Sequence, residues 1–314
     1  MMQSYLAEYK QRKLVVESWP RVENIELTSY CNLKCPGCLP RSARKEEHMP
    51  IDKLRNILDE NSQVLKGQKV WIHFNGETLL YPNLEEALSL FRIYDVNPRI
   101  STNATVLDDY KSHVILDGGV CEVVFSIDGA TQEIYETARP GAKYEDVVRN
   151  TKRFIDLSRK YTTRPEIQIQ MVESTLTEGQ ADAFIQYWKD SGADSISLKR
   201  FSTRANNVVN SAIALEYANL GVPCFWPWRA VVVLVNADVV PCCTDMKGEI
   251  VLGNLTEQSL LDIWNSEKMQ QLRQAHLTNE YGSLLCARCT DHYDPCDEVN
   301  ERQRYNDKKH KFVG

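Results

Sequence analysis

The chain has 314 residues, 43% of them hydrophobic, enough for one large core or for a large domain with a small one beside it. Its net charge of −6, from 43 acidic and 37 basic residues, is that of ordinary solubility and not of a nucleic-acid-binding surface. No run approaches the roughly 18 apolar residues of a membrane span, and 1–19 lacks the apolar core of a signal peptide, so the expectation is a cytoplasmic protein with no nucleic-acid or membrane partner.

From Asn24 to about Arg200, short apolar, mostly β-branched stretches alternate with amphipathic ones. The strand candidates are 24–28, 70–75, 99–102, 122–127, 166–172 and 195–199, and the helix candidates are 51–65, 83–91, 144–160 and 180–191. Alternation at about 30 residues per unit predicts parallel strands joined by crossover helices. Eight such units close a full barrel, and about six are present here. The expected fold is therefore α/β, a partial (β/α)6 TIM-like barrel, with an open doubly wound sheet as the alternative. Beyond Asn206 the pattern changes. Stretches 231–235 and 239–240 flank Asn236-Ala237-Asp238 as a hairpin, 259–274 reads as a helix, and the rest is irregular and Cys-rich. The expected organisation is an N-terminal extension (1–22), the barrel (23–209) and a small Cys-rich domain of hairpin plus helix (210–314). The basic tail Lys308-Lys309-His310-Lys311 reads as a solvated end.

There are ten cysteines, at 31, 35, 38, 121, 224, 242, 243, 286, 289 and 296. In a long chain without an export signal, clusters at short spacing point to metal rather than to disulfides. Cys31, Cys35 and Cys38 follow the first strand candidate directly. Three thiolates within eight residues, in a loop with Pro36 and Gly37, can wrap one iron–sulfur cube and leave one iron open. By spacing alone, a zinc loop completed by His48 is the alternative. Cys121 and His73, both in strand candidates, read as core residues, and Trp226 and Trp228 as packing.

The CxxxCxxC triplet resembles the signature of the radical S-adenosylmethionine (SAM) superfamily position for position. Asn75-Gly76-Glu77 resembles that family's G-G-E segment, with Asn75 for the first glycine and Thr78 where many relatives carry proline. The resemblance implies that Gly76 and Glu77 hold the methionine amino group. It also implies that Ser101 and Asn103, in Ser101-Thr102-Asn103, line the ribose and methionine side. The run Ser126-Ile127-Asp128-Gly129, then Tyr135 and Arg139-Pro140-Gly141, is similar to one large branch, in which Ser126, Asp128 and Arg139 belong to the cofactor site. All four segments follow strand candidates, and loops at that edge of a parallel sheet converge on one site. Cys224, then Cys242 eighteen positions on, then Cys286-Ala-Arg-Cys289 resembles the SPASM extension in its shorter twitch form, as do Trp264 and Arg273. That likeness implies one auxiliary 4Fe–4S cluster on Cys224, Cys242, Cys286 and Cys289. A structural zinc ribbon is the alternative, and Cys243 and Cys296 are left as packing or free thiols.

The implied cofactors are a radical SAM 4Fe–4S cluster, an auxiliary 4Fe–4S cluster and SAM. The implied reaction begins with reductive cleavage of SAM to a 5′-deoxyadenosyl radical, which takes a hydrogen atom from substrate. The expected outcome is oxidation of a small sugar or cyclitol alcohol with the auxiliary cluster as electron acceptor and a flavodoxin- or ferredoxin-type reductant as donor. Only about 22 residues precede the first strand, so no peptide-recognition domain is expected there. Epimerisation and peptide modification are the variants of this reading, and a non-catalytic iron–sulfur or zinc module is the alternative class. Lys199 and Arg200 end the last barrel strand candidate; they read as surface residues or as contacts for an anionic substrate.

Overall fold

The computed structural model describes residues 2–213 and 223–292, together with the backbone of 308–311. Strands β1 (Arg21–Ile25), β2 (Lys69–Trp71), β3 (Asn97–Thr102), β4 (Glu122–Ser126), β5 (Glu166–Glu173) and β6 (Ser195–Arg200) lie side by side in chain order, each parallel to the next. A doubly wound sheet would reverse its strand order at a switch point. This one runs in a single direction, as the wall of a partial barrel does. Ile196 and Leu198 of β6 pack into the core, so Ser195, Ser197 and Lys199 alternate to the other face.

Helices cover the outside. The longest, Tyr144–Ser158, buries Val147, Val148, Thr151, Phe154, Ile155 and Ser158 along one face, a 3.6-residue period, and carries Glu145 and Asp146 in its first turn against the helix dipole. Two further helices, Asp109–Asp117 and Gln132–Ala138, were not anticipated. Each is short, and each starts from a side-chain cap: Asp108 accepts from the Lys111 amide at 2.8 Å and Thr131 from that of Ile134 at 3.4 Å.

The predicted hairpin is β7 (Ala230–Val233) and β8 (Asp238–Val240), followed by β9 (Gly253–Asn254). Strand β7 pairs in parallel with the free edge of β1, so hairpin and barrel share one sheet rather than standing apart. That pairing satisfies an edge that would otherwise be open. The fully buried Glu26 fastens the seam by accepting from the Val235 amide at 3.0 Å and the Asn75 amide at 3.2 Å while pairing with Arg44. On the opposite edge the backbone of β10 (Lys308–Lys311), expected to be a solvated end, pairs antiparallel with β6.

The helix expected over 259–274 is two, Leu260–Trp264 and Glu267–Thr278. The second restarts from Ser266, whose hydroxyl accepts from the Met269 amide, while Asn265 turns aside to bond Val16. Residues 1–22 are more than an extension. Helix Met2–Lys10 buries Tyr5 and Tyr9, and the strap after it receives hydrogen bonds from four side chains of the C-terminal region, Asn265 on Val16 O being one. Trp228 donates to Lys13 O at 2.7 Å, Trp264 to Ser18 O at 2.8 Å, and Arg273 to Leu14 O at 2.6 Å. Among the described residues no helix is long and apolar enough to cross a membrane.

Candidate active site

The chain leaves β1 into the cysteine loop, whose course is set by backbone packing. Glu77 N donates to Tyr30 O at 2.8 Å, and Gly76 lies so close that a Cβ there would sit 2.2 Å from Thr28 O. On the other side the amides of Val209 and Asn210 donate to Cys38 O and Pro36 O at 2.8 and 2.9 Å. Cys31 and Cys35 are half-buried, Cys38 is exposed, and all three line one cavity of about 400 Å3 with Arg41, Asn75 and Val209. A hydrogen bond from Cys38 holds the Cys35 thiol down at about 7 against the opposing effect of burial, and the Arg139 cation adds to it. His48 is elsewhere, stacked on Tyr30 (4.6 Å) and near Tyr81 (5.9 Å), outside the cavity lining.

The expected cofactor residues gather at the ends of β2, β3 and β4, with an unexpected division of labour. Glu77 is buried and its carboxylate is taken up by Thr102 Oγ1 (2.7 Å), Asn103 N (2.8 Å) and Leu79 N (3.1 Å). It therefore shapes the loop that presents Asn103. The Asn103 amide nitrogen donates to Asn32 Oδ1 at 3.1 Å and stands 4.0 Å from Cys31 Sγ. Ser101 and Ser126 meet hydroxyl to hydroxyl at 3.1 Å. Asp128 accepts from Arg139 at 2.7 and 2.9 Å and from Val172 N at 2.7 Å, so it orients the guanidinium. Burial works against that cation, but Asp128 and Cys35 raise its pKa above the ordinary arginine value. Beside this pair, the fully buried Tyr135 keeps its hydroxyl without a hydrogen-bond partner, an orphaned polar atom of the kind a bound group satisfies.

Inside the barrel, alternate residues line a second cavity of about 420 Å3. Arg99 and Glu122 pair across β3 and β4 at 2.5 Å, with the guanidinium 3.8 Å above the Trp71 ring. His73 accepts from Ser101 N at 3.3 Å through Nδ1, and burial, then Lys199, Arg99 and Arg204, press its pKa down to about 3. Lys199 lines this cavity instead of the outer surface, whereas Arg200 turns to Asp291 at 3.8 Å. Trp226 and Cys243 close the cavity from the C-terminal side, and Arg204 donates to Cys243 O at 3.3 Å and reaches Cys243 Sγ at 3.4 Å. Trp226 lines this cavity, while Trp228 is fully buried as expected.

Cys224, Cys242, Cys286 and Cys289 line one further cavity with Trp226, Pro227, Leu272 and Leu285. Burial pushes the Cys286 thiol up to about 12 and raises Cys242 and Cys289 as well. Thiols in such a place ionise only against a cationic partner. Among the described residues no three His, Cys, Asp or Glu side chains converge on a single metal ion. The four cysteines share the lining of this one cavity. Two histidines overlooked in the sequence fix the cysteine backbones: Cys224 N donates to His276 Nδ1 at 3.2 Å, and His292 Nε2 lies 3.1 Å from Cys286 O. Asp245 accepts from Glu249 N at 2.7 Å and Ile250 N at 2.8 Å, closing the loop after Cys242. The Cys224–His276 pair lies 52 positions apart, beyond any local pattern, whereas His292 and Asp245 act on neighbours four to six positions away through loops that carry no periodic signal. Cys243 is absent from this cavity, Cys121 is half-buried with its thiol 3.7 Å from Asn97 O, and Cys296 lies outside the described residues.

Two family models match the chain: the radical SAM superfamily over residues 25–197 and SPASM, an iron–sulfur cluster-binding domain, over 224–290. Among curated proteins it is similar to the S-adenosyl-L-methionine-dependent 2-deoxy-scyllo-inosamine dehydrogenase of Niallia circulans, 22% identical over 85% of this chain and 91% of that one. It is also 22% identical, over 88% of each, to the tungsten-containing aldehyde ferredoxin oxidoreductase cofactor-modifying protein of Pyrococcus furiosus. Among solved structures it is similar to BtrN in complex with AdoMet and 2-DOIA (TM-score 0.61, 19% identity, 89% of this chain and 95% of that one). It also resembles Streptococcus suis SuiB bound to precursor peptide SuiA (TM-score 0.68, 15% identity, 86% and 69%).

Proposed function

The chain belongs to the radical SAM superfamily, with a SPASM domain, SAM, a radical SAM 4Fe–4S cluster and an auxiliary cluster as its equipment, and on that premise we propose that it oxidises the C–OH of a small sugar- or cyclitol-type alcohol to C=O. In this reading Cys31, Cys35 and Cys38 hold the first cluster, and Cys224, Cys242, Cys286 and Cys289 hold the auxiliary one. With these groups bound, the chemistry supplied is SAM cleavage, removal of a substrate hydrogen atom and uptake of the remaining electron.

The residues do the rest. Ser101, Asn103, Ser126 and Arg139 face the cofactor, Asp128 aims Arg139, Gly76 brings the loop backbone close, and Glu77 braces the Asn103 loop. The observation that carries the proposal is the barrel cavity. Ser101 bounds it on the cofactor side, and Trp226, which also lines the auxiliary cavity, bounds it on the other. A small molecule there lies between the two cysteine sites, against the rings of Trp71, Phe74 and Trp226. The likeness to a cyclitol-amine dehydrogenase over most of both chains supports the alcohol class. A flavodoxin or ferredoxin type of protein is the proposed electron donor.

One observation favours a second reading, epimerisation. Cys243 lines the barrel cavity, where a thiol can return a hydrogen atom. Product mass separates the two. Anaerobic turnover of sugar and cyclitol alcohols in heavy water is expected to give products two mass units lighter, with Cys243→Ala still active. A product of conserved composition carrying one solvent deuterium, lost in Cys243→Ala, establishes the epimerase instead.

A further inference from the structure

His73 lines the barrel cavity and is half-buried, so part of its ring is reachable from that space. It stands two residues beyond β2. Trp71 and His73 both line the cavity, while Ile72 between them is fully buried in the core, the alternation of an extended chain. The pairing of this segment with β3 runs on to Ile72 N, which donates to Arg99 O at 2.9 Å. The amide of Ser101, two residues further along β3, is taken by the His73 ring at Nδ1, 3.3 Å away. A backbone N–H can only donate, so Nδ1 carries a lone pair. The ring is neutral, because burial and then the cations of Lys199, Arg99 and Arg204 oppose a second proton. A neutral imidazole has one N–H, and here it is at Nε2. His73 therefore offers a fixed donor and no second lone pair. Other polar groups of the same wall are engaged with one another: Asn24 donates to His73 O at 2.7 Å, Ser195 to Gln168 Oε1 at 3.5 Å, and Arg99 pairs with Glu122.

Resting on the small-alcohol reading of this cavity, we infer that His73 is a substrate-contacting residue whose Nε2–H donates to the oxygen on the carbon that is oxidised. Its place follows from its partner. Ser101, which fixes the ring, also meets Ser126 hydroxyl to hydroxyl at 3.1 Å on the cofactor side, so His73 stands where the cavity meets the cofactor residues. The alcohol and the ketone formed from it both accept a hydrogen bond, and the ketone oxygen can only accept. A donor fixed there serves both. The same tautomer leaves His73 without a lone pair for the hydroxyl proton, so it positions the oxygen and is not the base.

Two replacements separate contact with substrate from support of the strand. Asn carries its amide oxygen at the place of Nδ1 and nothing at that of Nε2, whereas Gln brings its amide to the place of Nε2. His73→Asn thus keeps an acceptor for Ser101 N and loses the donor, and His73→Gln keeps a donor. The probes are myo-inositol, its 2-ketone and 2-deoxy-scyllo-inosamine, titrated calorimetrically into the anaerobically reconstituted, unreduced enzyme with SAM. In the unaltered enzyme the ketone is expected to bind at least as tightly as myo-inositol, a comparison that needs no variant. For each probe that binds, His73→Asn should weaken affinity by about tenfold with the denaturation midpoint kept, and His73→Gln should regain most of that factor. A ketone bound about tenfold more weakly than the alcohol overturns the inference, because the wall then offers an acceptor. Affinity unmoved in His73→Asn, or lost equally in both variants, also overturns it, the latter assigning His73 to the strand edge alone; both leave the small-alcohol reading in place. Failure of all three probes to bind overturns the two together.

Discussion

A Cβ on Gly76 would lie 2.2 Å from Thr28 O and 2.8 Å from Tyr30 O, whereas one on Gly37 would meet the Phe201 ring at 2.6 Å. Neither glycine needs a left-handed φ, so both are required for closeness alone. The difference lies in what must yield. Backbone carbonyls at the root of the cysteine loop cannot retreat without moving the loop, but a ring can be trimmed. Gly76→Ala is expected to cost about 3 kcal/mol or more and to abolish loading of the first cluster. Gly37→Ala should lower loading in a way that Phe201→Leu restores. Iron content and the denaturation midpoint of the three variants check this, and equal rescue of Gly76→Ala by Phe201→Leu contradicts it.

His276 permits a pH prediction at the same scale. Burial, then the nearby His292, holds its pKa at about 3, against an ordinary 6.5. Between those values the unfolded chain binds a proton that the folded one refuses. Stability therefore falls as pH drops from about 6.5 toward 3, by at most about 1.4 kcal/mol per pH unit from this residue. His276→Gln should flatten that slope in urea denaturation series. Parallel slopes for both proteins contradict it. His73, pressed down to about the same value, leaves a residual slope in the variant.

At the scale of elements, Arg273 ties together parts that the sequence shows as separate. It is fully buried, with its pKa brought down to about 10 by burial, and it donates to Pro227 O, Leu14 O, Trp264 O and Asn265 Oδ1. Arg273→Leu orphans these acceptors, for an expected loss on the order of 3 kcal/mol, and frees the N-terminal strap to protease attack near Leu14. Protection of that site in the variant contradicts the role. The six barrel strands and both cysteine groups were legible because their signals are local: β-branched runs, turn residues and short Cys spacings. The strap, the β1–β7 seam and the His276 support were not, because each joins residues 50 or more positions apart, as in Val16 with Asn265 or Glu26 with Val235. Lys199 was misplaced for a related reason. A lysine at a strand end looks alike whether the barrel opens or closes around it. The helix over 259–274 broke at Asn265 because that side chain serves the strap.

The whole molecule places two cysteine sites on one sheet and joins them through the loop after β6. That loop packs Phe201 on the first cysteine loop and bonds it through Val209 and Asn210, while Arg204 reaches Cys243 and Asn207 reaches Glu249 at 3.2 Å. Each site nevertheless has its own walls and no shared cysteine. Loading should thus be separable. Intact enzyme reconstituted anaerobically is expected to hold about eight irons per chain as two Cys-ligated cubes. Replacing Cys31, Cys35 and Cys38 by Ala should leave about four and end reductive cleavage of SAM. Cys242→Ala with Cys289→Ala should also leave about four but keep SAM cleavage, because the cofactor-facing residues are all on the barrel. Iron and sulfide analysis with electron paramagnetic resonance, alongside assay of 5′-deoxyadenosine, reads both. About four irons and one tightly held zinc in the intact enzyme would make the second site a zinc ribbon. Undiminished 5′-deoxyadenosine from the triple variant would remove the first site from the chemistry altogether. Loss of all iron from either variant would mean that the connecting loop couples the sites, so that neither loop takes up its cluster while the other is empty.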